Sequence, residues 1–222
     1  MIKEHKQAIL PYLFPAADPA APAGTPAPVG FASSILAYIQ LDSPDQAGLR
    51  TAALCVADDL IEFTSPASHS ILPAVFPHLL SCAEHENPLL RHPALYGLGL
   101  VAQFAPAFLA PHVQGVLAAL SKSINAPDAQ SDENLSSTDN AVSSLLKVVK
   151  FCPAAAQHTE LVMQHTLGYL PLTGDEIEGE SLLRLALVGG LPLTCAFLAH
   201  PPPRYAHPLP CTLSQPAWCT AG

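Results

Sequence analysis

Two adjacent carboxylates, Asp58 and Asp59, are the first place in this sequence to look for acid–base chemistry. Paired catalytic carboxylates must converge on one substrate. Neighbours on a helix point about 100° apart, so this pair does not meet the requirement. His78, Cys82 and His85 follow at spacings of four and three, which would suit zinc. Zinc ordinarily takes four ligands, and no second cluster of matched spacing accompanies these three. Cys82 therefore reads as a buried small hydrophobe and the histidines as surface residues. Cys55 lies beside an apolar stripe and reads as core rather than nucleophile. Gly97-x-Gly99 falls mid-helix without the strand that a phosphate loop requires, so its glycines read as points of close helix approach. Gly-x-Ser-x-Gly, Gly-x-x-x-x-Gly-Lys and Gly-x-Gly-x-x-Gly motifs do not occur. The expectation is a protein that is not an enzyme and takes no cofactor.

The elements that would carry these residues are written in the composition. Half of the 222 residues are hydrophobic but only 6% are aromatic. An apolar set dominated by Ala and Leu suits helices packed closely on helices. Nine Lys and Arg against eighteen Asp and Glu give a net charge of −9. Such a surface repels phosphate backbones and draws basic proteins, so no direct nucleic-acid partner is expected. The six cysteines, at 55, 82, 152, 195, 211 and 219, contain no CxxC pair and point to a reducing compartment. Met1 to Lys6 is followed by no apolar run of the signal-peptide kind. The uncharged stretch Leu185 to Ala199 is shorter than the roughly 18 residues of a span and is broken by Gly189, Gly190 and Pro192. No membrane association is expected.

The 24 prolines concentrate in Pro11–Pro28 and Pro192–Pro216, and the section between them reads as regular helices. Leu49, Ala53, Val56, Leu60 and Phe63 form one apolar stripe, opened by a capping box with proline at Ser43-Pro44-Asp45-Gln46. A helix at about 71–84 carries Ile71, Leu72, Val75, Phe76, Leu79 and Leu80, with Pro77 expected to kink it. Asn87-Pro88 caps the next, which runs through Leu90, Ala94, Leu98 and Val101. Further helices are expected at about 110–124, 135–151 and 157–170. They come in pairs whose second members end at Phe63, Phe104 and Phe151, which are 41 and 47 residues apart, each followed within three residues by proline. Leu49-Arg50-Thr51-Ala52-Ala53-Leu54 aligns with Leu90-Arg91-His92-Pro93-Ala94-Leu95 at the same spacing of 41. Two helices per unit at a period of about 40–47 residues is the pattern of HEAT repeats. A lone hairpin cannot cover its apolar stripe, so units must stack. The predicted class is an all-α HEAT/ARM-type superhelical solenoid with irregular Pro-rich flanks.

Several segments taken in order resemble the late repeats of importin-β-type nuclear transport receptors, in particular the importin-4/importin-5 branch. They are Ala53–Glu62, Ala94–Phe104, Glu133–Leu135 with Thr138–Val142, and Lys147–Phe151, followed by Leu170-Pro171-Leu172 and an acidic turn through Asp175, Glu176 and Glu178. The likeness covers about 45–181, with a fainter echo at His5–Leu13. It implies a receptor fragment of the cytoplasm, nucleus and nuclear pore. Such receptors carry basic cargo such as ribosomal proteins and histones, bind Phe-Gly nucleoporins, and release cargo on binding Ran GTPase. The family's main Ran-binding surface lies in N-terminal repeats, and this chain resembles a C-terminal portion. Three departures stand out: an Ala/Pro-rich insert at 15–40, Pro93 inside a helix, and the loss of resemblance from about Leu182. The expected organisation is therefore 1–44 as a partial helix plus insert, 45–181 as repeats, and 182–222 as an irregular tail whose seven prolines and three cysteines read as mispredicted or read-through sequence.

Within this frame Asp58 and Asp59 are expected to line the inner face, pairing with Arg50 or Arg91 of a neighbouring unit. With Glu62 they form an acidic surface for a partner. Asp132 and Glu133, in the acidic connection 125–134, offer a second electrostatic contact for basic cargo or lie in a solvated loop. Asn140, polar within an apolar helix, either bonds backbone across the inner face or holds an extended cargo peptide. Two other readings compete: a HEAT scaffold subunit of another complex, such as a phosphatase, and a truncated gene model without independent activity. Uncapped ends would expose apolar faces and favour self-association.

Overall fold

The computed structural model describes residues 5–16 and 30–167, together with 169, 172, 174 and 179. The expected tail and the acidic turn at 175–178 lie outside them. The helices are α1 (Lys6–Leu13), α2 (Phe31–Ile39), α3 (Ala47–Thr64), α4 (Leu72–Ala83), α5 (Pro88–Phe104), α6 (Pro106–Leu109), α7 (Val113–Ile124), α8 (Leu135–Phe151) and α9 (Thr159–Leu167). Among the described residues there is no strand, and no single helix is long and apolar enough to cross a membrane.

Helices α2/α3, α4/α5 and α7/α8 form hairpins, and the second helices stack on one another in the order α3, α5, α8. The first helices make a thinner second layer, α2 against α4 and α4 against α7. The architecture is the all-α HEAT-type stack that the repeat spacing predicts. Between the layers lies a continuous core that includes Ile39, Leu54 and Ile61, then Leu72, Leu79 and Leu98, then Leu120 and Leu146, each almost fully buried. Removing such a side chain from water contributes about 2 kcal/mol or more.

The stack is in register. Asp58 of α3 faces Gly97 of α5, where an added Cβ would lie 2.3 Å from its Oδ1. Gly99 of α5 faces Ser144 of α8, where an added Cβ would lie 3.0 Å from Ser144 Cα. Gly99 follows Asp58 by 41 residues and Ser144 follows Gly97 by 47, the same spacings that separate Phe63, Phe104 and Phe151. One contact therefore recurs, one unit later. Residues two apart on a helix point to nearly opposite sides, so α5 needs a small residue on each face to be gripped by both neighbours. The two glycines serve close approach, as their mid-helix position implied.

The prolines after Phe104 and Phe151 stand at the helix ends as expected. Pro106 and Pro153 open the connections after Phe104 and Phe151, where a missing N–H is harmless. Pro93 sits within continuous α5 and cannot donate to the Leu89 carbonyl four residues back. That carbonyl is reached instead by Thr51 Oγ1 from α3, at 3.2 Å, the hydroxyl also lying 2.9 Å from Ala47 O. The acceptor orphaned by proline is thus supplied from the neighbouring unit. Asn87 caps α5 as predicted, its side chain accepting from Leu89 N at 3.0 Å.

Other expectations need correction. The capping box at 43–46 does not form: Ser43 makes no side-chain cap, and Pro44–Gln46 is a 3-10 turn closed by Gln46 N donating to Ser43 O at 2.9 Å. The buried face of α3 is rotated from the expected stripe. Leu49 is 54% exposed, whereas Arg50, Leu54, Ala57, Asp58 and Ile61 are buried. A helix gripped by a hairpin partner on one side and a stack partner on another buries a wider arc than a single stripe marks. The helix expected from about 110 begins at Val113, after α6 and the 3-10 turn Ala110–His112. Helix α8 is not an apolar helix with one polar residue. Ser137, Thr138, Asp139, Asn140, Ser143, Ser144 and Lys147 are all buried, because it is covered on every side.

A candidate partner-binding face

The sequence-derived surface residues divide into two groups once placed. Asp58 is 4% exposed and Asn140 1%, and both lie within helix–helix contacts. Asp59 is exposed one position further round α3, and Glu62, half-buried, accepts from Tyr96 Oη at 3.4 Å. Asp132 and Glu133 are exposed on the α7–α8 connection.

The expected ion pairs between Asp58 and an arginine do not form. Arg50 Nη1 approaches Asp42 Oδ1 at 3.6 Å. Arg91 donates through Nη1 to the carbonyls of His85 and Glu86, each at 2.7 Å, and through Nη2 to Asn134 Oδ1. Both arginines sit in the first turns of stacked helices, from which they reach the turn of their own hairpin and not the helix middle where Asp58 lies. Asp58 Oδ1 consequently has no hydrogen-bond partner among the described residues. Burial, with the charges of Asp59 and Glu62 beside it, pushes its carboxyl well above the usual carboxylate range.

Asn140 faces α5, and its Oδ1 has no hydrogen-bond partner among the described residues. Its Nδ2 donates to His92 O at 3.1 Å, across the α5–α8 contact. Ser144 Oγ donates to Leu95 O at 2.7 Å one turn further along. Nearby, the Lys147 ammonium lies 4.9 Å from the centre of the Tyr96 ring.

Cys55 is exposed rather than core, a correction that follows from the rotated face of α3. Although the residue is exposed, partial desolvation of its thiol, and the neighbouring Asp58 and Asp59, raise its pKa, which disfavours a nucleophilic thiolate. Cys82 is buried, as expected. Among the described residues no group of His, Cys, Asp and Glu has the geometry to hold a metal.

The connection 125–134 is a folded clasp rather than a plain solvated loop. Asn134 is buried and its Nδ2 donates to Asp128 Oδ2 at 2.9 Å and Ser131 Oγ at 3.2 Å. Thr138 Oγ1 donates to Ala129 O at 2.8 Å. The acidic tips Asp132 and Glu133 project from this anchored base.

One electrostatic feature escapes a reading along the chain although its signal is present there. The turns leading into α3, α5 and α8 all carry carboxylates: Asp42 and Asp45, Glu84 and Glu86, then Asp128, Asp132 and Glu133. The connections leaving those helices carry none, and instead hold His69, His112 and His158. Hairpins stacked in register bring like connections to the same edge. One edge of the stack is therefore acidic and the other is not. Counting charges per connection, rather than along the chain, reveals it.

No protein-family model matches the chain. It is similar to the "Probable importin-5 homolog" of Dictyostelium discoideum, 26% identical over 145 residues, covering 62% of this chain and 13% of that protein. It is also similar to "Importin subunit beta-3" of Saccharomyces cerevisiae, 31% identical over 97 residues, covering 44% of this chain and 9% of that protein. The chain thus spans about a tenth of the length of these relatives. The likeness supports a relationship to importin-β-type proteins; it does not distinguish a branch among them.

Proposed function

We propose that this chain is a non-catalytic protein-binding segment of a nuclear import receptor, taking basic protein cargo against its acidic surface. The observation that carries the reading is the in-register stack of helical hairpins in a chain whose sequence is similar to two importins. Residues 45–181 are the repeat region in this reading, with 1–44 and 182–222 as flanks.

Asp59 and Glu62 on α3, with Asp132 and Glu133 on the clasped connection, are the contacts assigned to cargo such as histones and ribosomal proteins. Exposed carboxylates along one edge raise the local concentration of basic partners and speed their encounter. Asp58 and Asn140 hold helices together in this scheme and do not touch cargo. Phe-Gly nucleoporins are the second partner class, and Ran GTPase would engage repeats outside this chain. The protein would work in the cytoplasm and nucleus and at the nuclear pore. The importin-4/importin-5 branch is the relationship assigned.

The test is retention of the purified chain on immobilised core histones, ribosomal proteins and Phe-Gly peptide beads. Binding to the basic proteins should weaken steeply with salt, and the double charge reversal Asp59→Lys/Glu62→Lys should weaken it about tenfold or more. Retention by neither basic proteins nor Phe-Gly beads would defeat the transport reading. Co-purification with a phosphatase catalytic subunit would replace it with a scaffold role.

A further inference from the structure

We propose that the cavity between the α4–α5 turn and the α7–α8 connection is the seat for one lysine side chain of a basic partner, which enters in competition with the chain's own Lys122. The cavity holds about 170 Å³, room for several water-sized groups. Ala83, Ala126 and Ala129 give it aliphatic wall for a methylene stem, and Glu84, Glu86 and Asp128 stand around it. Ser137 of α8 also lines it and is only 2% exposed. Its hydroxyl makes no hydrogen bond among the described residues, yet the oxygen is not sealed from solvent. A buried hydroxyl that opens on a cavity needs its partner from within that cavity.

The internal repeat shows that packing does not impose this hydroxyl. Ser137 follows Leu90 by 47 residues, one unit, and Leu90 lines the corresponding cavity at the preceding joint. A leucine closes that wall, whereas here stands a group that can accept from an ammonium. Arg91 is committed to the wall itself: its Nη1 donates to the carbonyls of His85 and Glu86, and its Nη2 to Asn134. Lys122 already shows that the border takes an ammonium, its Nζ lying 2.5 Å from Glu84 Oε2. With the two side chains 67% and 45% exposed, this pair is of the weak surface kind and opens readily.

The charge around the cavity selects the guest. Three carboxylates, Glu84, Glu86 and Asp128, stand against two cations, Arg91 and Lys122; with His85 neutral the balance is −1, and −2 when Lys122 swings out. That balance repels an anion and gives a neutral group nothing, whereas it draws in an ammonium. Lysine supplies a stem for the alanines and three donors for Ser137 Oγ and the carboxylates. The inference deepens the proposed function, whose basic partner it takes as its premise, and gives that partner one defined point of entry.

The test is two-dimensional ¹H–¹⁵N NMR of the full chain, following the backbone amides of Ser123, Ala129 and Ser137 with N-acetyl-lysine methylamide as probe. The norleucine and Nε-acetyl-lysine analogues, which keep the stem without the charge, are the controls. The lysine probe should shift these amides saturably and bind about fivefold tighter than either control. Lys122→Ala should tighten it severalfold by removing the internal competitor. Ser137→Ala should weaken it severalfold, which diffuse attraction to an acidic surface would not produce; should that variant not fold, Lys122→Ala and the wild-type titration still decide. Absence of a saturable shift, equal binding of the controls, or unchanged binding in Lys122→Ala or in folded Ser137→Ala would each overturn the proposal. Retention on histone beads, run alongside, separates the two readings. A chain that holds histones without a lysine response loses this site and keeps the transport reading, and a lysine response without histone retention keeps the site and loses the cargo reading.

Discussion

The α3–α5 and α5–α8 joints are the same contact made twice, yet they are finished differently. At α5–α8 several polar groups find partners across the joint, although Asn140 Oδ1 is buried without one among the described residues. Ser144 and Asn140 donate to carbonyls of α5, and Arg91 ties its own turn to Asn134 of the next. At α3–α5 the corresponding places hold a buried carboxyl with an unpartnered oxygen and an arginine whose Nε lacks an acceptor. Thr51 is the counterexample there, matching the one carbonyl that Pro93 leaves open. The stacking of apolar surface sets how units repeat, and polar completion sets how rigid each joint becomes. The second joint carries more cross-helix hydrogen bonds and is expected to be the costlier to disturb.

The largest expected effect compares the two glycines. Gly99→Ala places a methyl against Ser144 main chain, which cannot step aside, and overpacking of this kind costs about 1–3 kcal/mol beyond the helix-propensity gain of about 1. Gly97→Ala meets only the far ends of Asp58 and Leu79, which can rotate, so the propensity gain should offset most of the strain. Chemical denaturation of both variants checks this, and a larger loss for Gly97→Ala would reverse the ranking of the joints. Next in size is the arginine pair. Arg91→Met abandons three hydrogen bonds and should cost about 2–3 kcal/mol, while Arg50→Met, with a long ion pair and a weak contact to the Cys82 thiol to lose, should cost about 1. Equal losses by thermal melting would argue that Arg50 is held as firmly as Arg91.

The smallest effect carries the opposite sign. The raised folded-state pKa of Asp58 means that the unfolded chain gives up this proton first as pH rises. Stability therefore falls from the ordinary carboxylate pKa, about 4, up to the raised folded value, and is regained on acidification. Asp58→Asn should remove that slope and stabilise the neutral-pH protein by about 1 kcal/mol, the cost of an uncompensated buried polar atom. A melting temperature unchanged at neutral pH, with the slope intact, would place the titration elsewhere.

Much of the architecture is legible in the chain itself. The phenylalanine–proline punctuation at Phe63, Phe104 and Phe151 marks where the stacked helices end to within a residue, and the Asn87-Pro88 pair marks the capped start of α5. These are local or periodic signals, carried by capping chemistry and by spacing. The surface is less legible. Asp58 and Asp59 look alike in the chain, but one is buried and the other exposed, because a single step around α3 separates the packed arc from the open one. Arg50 and Arg91 stand out as a repeat, yet the acid expected to pair with them is the wrong partner, since the turn each one grips is closer in space.

The sequence by itself determined the class of fold, the length of its units and the acidity of its surface, because periodicity, proline placement and charge are properties of the chain. Only the tertiary structure decided which acids face solvent, which carbonyl receives Thr51 and which arginine is completed by its neighbour. Those outcomes depend on the rotation and register with which one hairpin seats on the next, and two helices with the same stripe can seat in more than one way until small residues such as Gly97 and Gly99 select the approach.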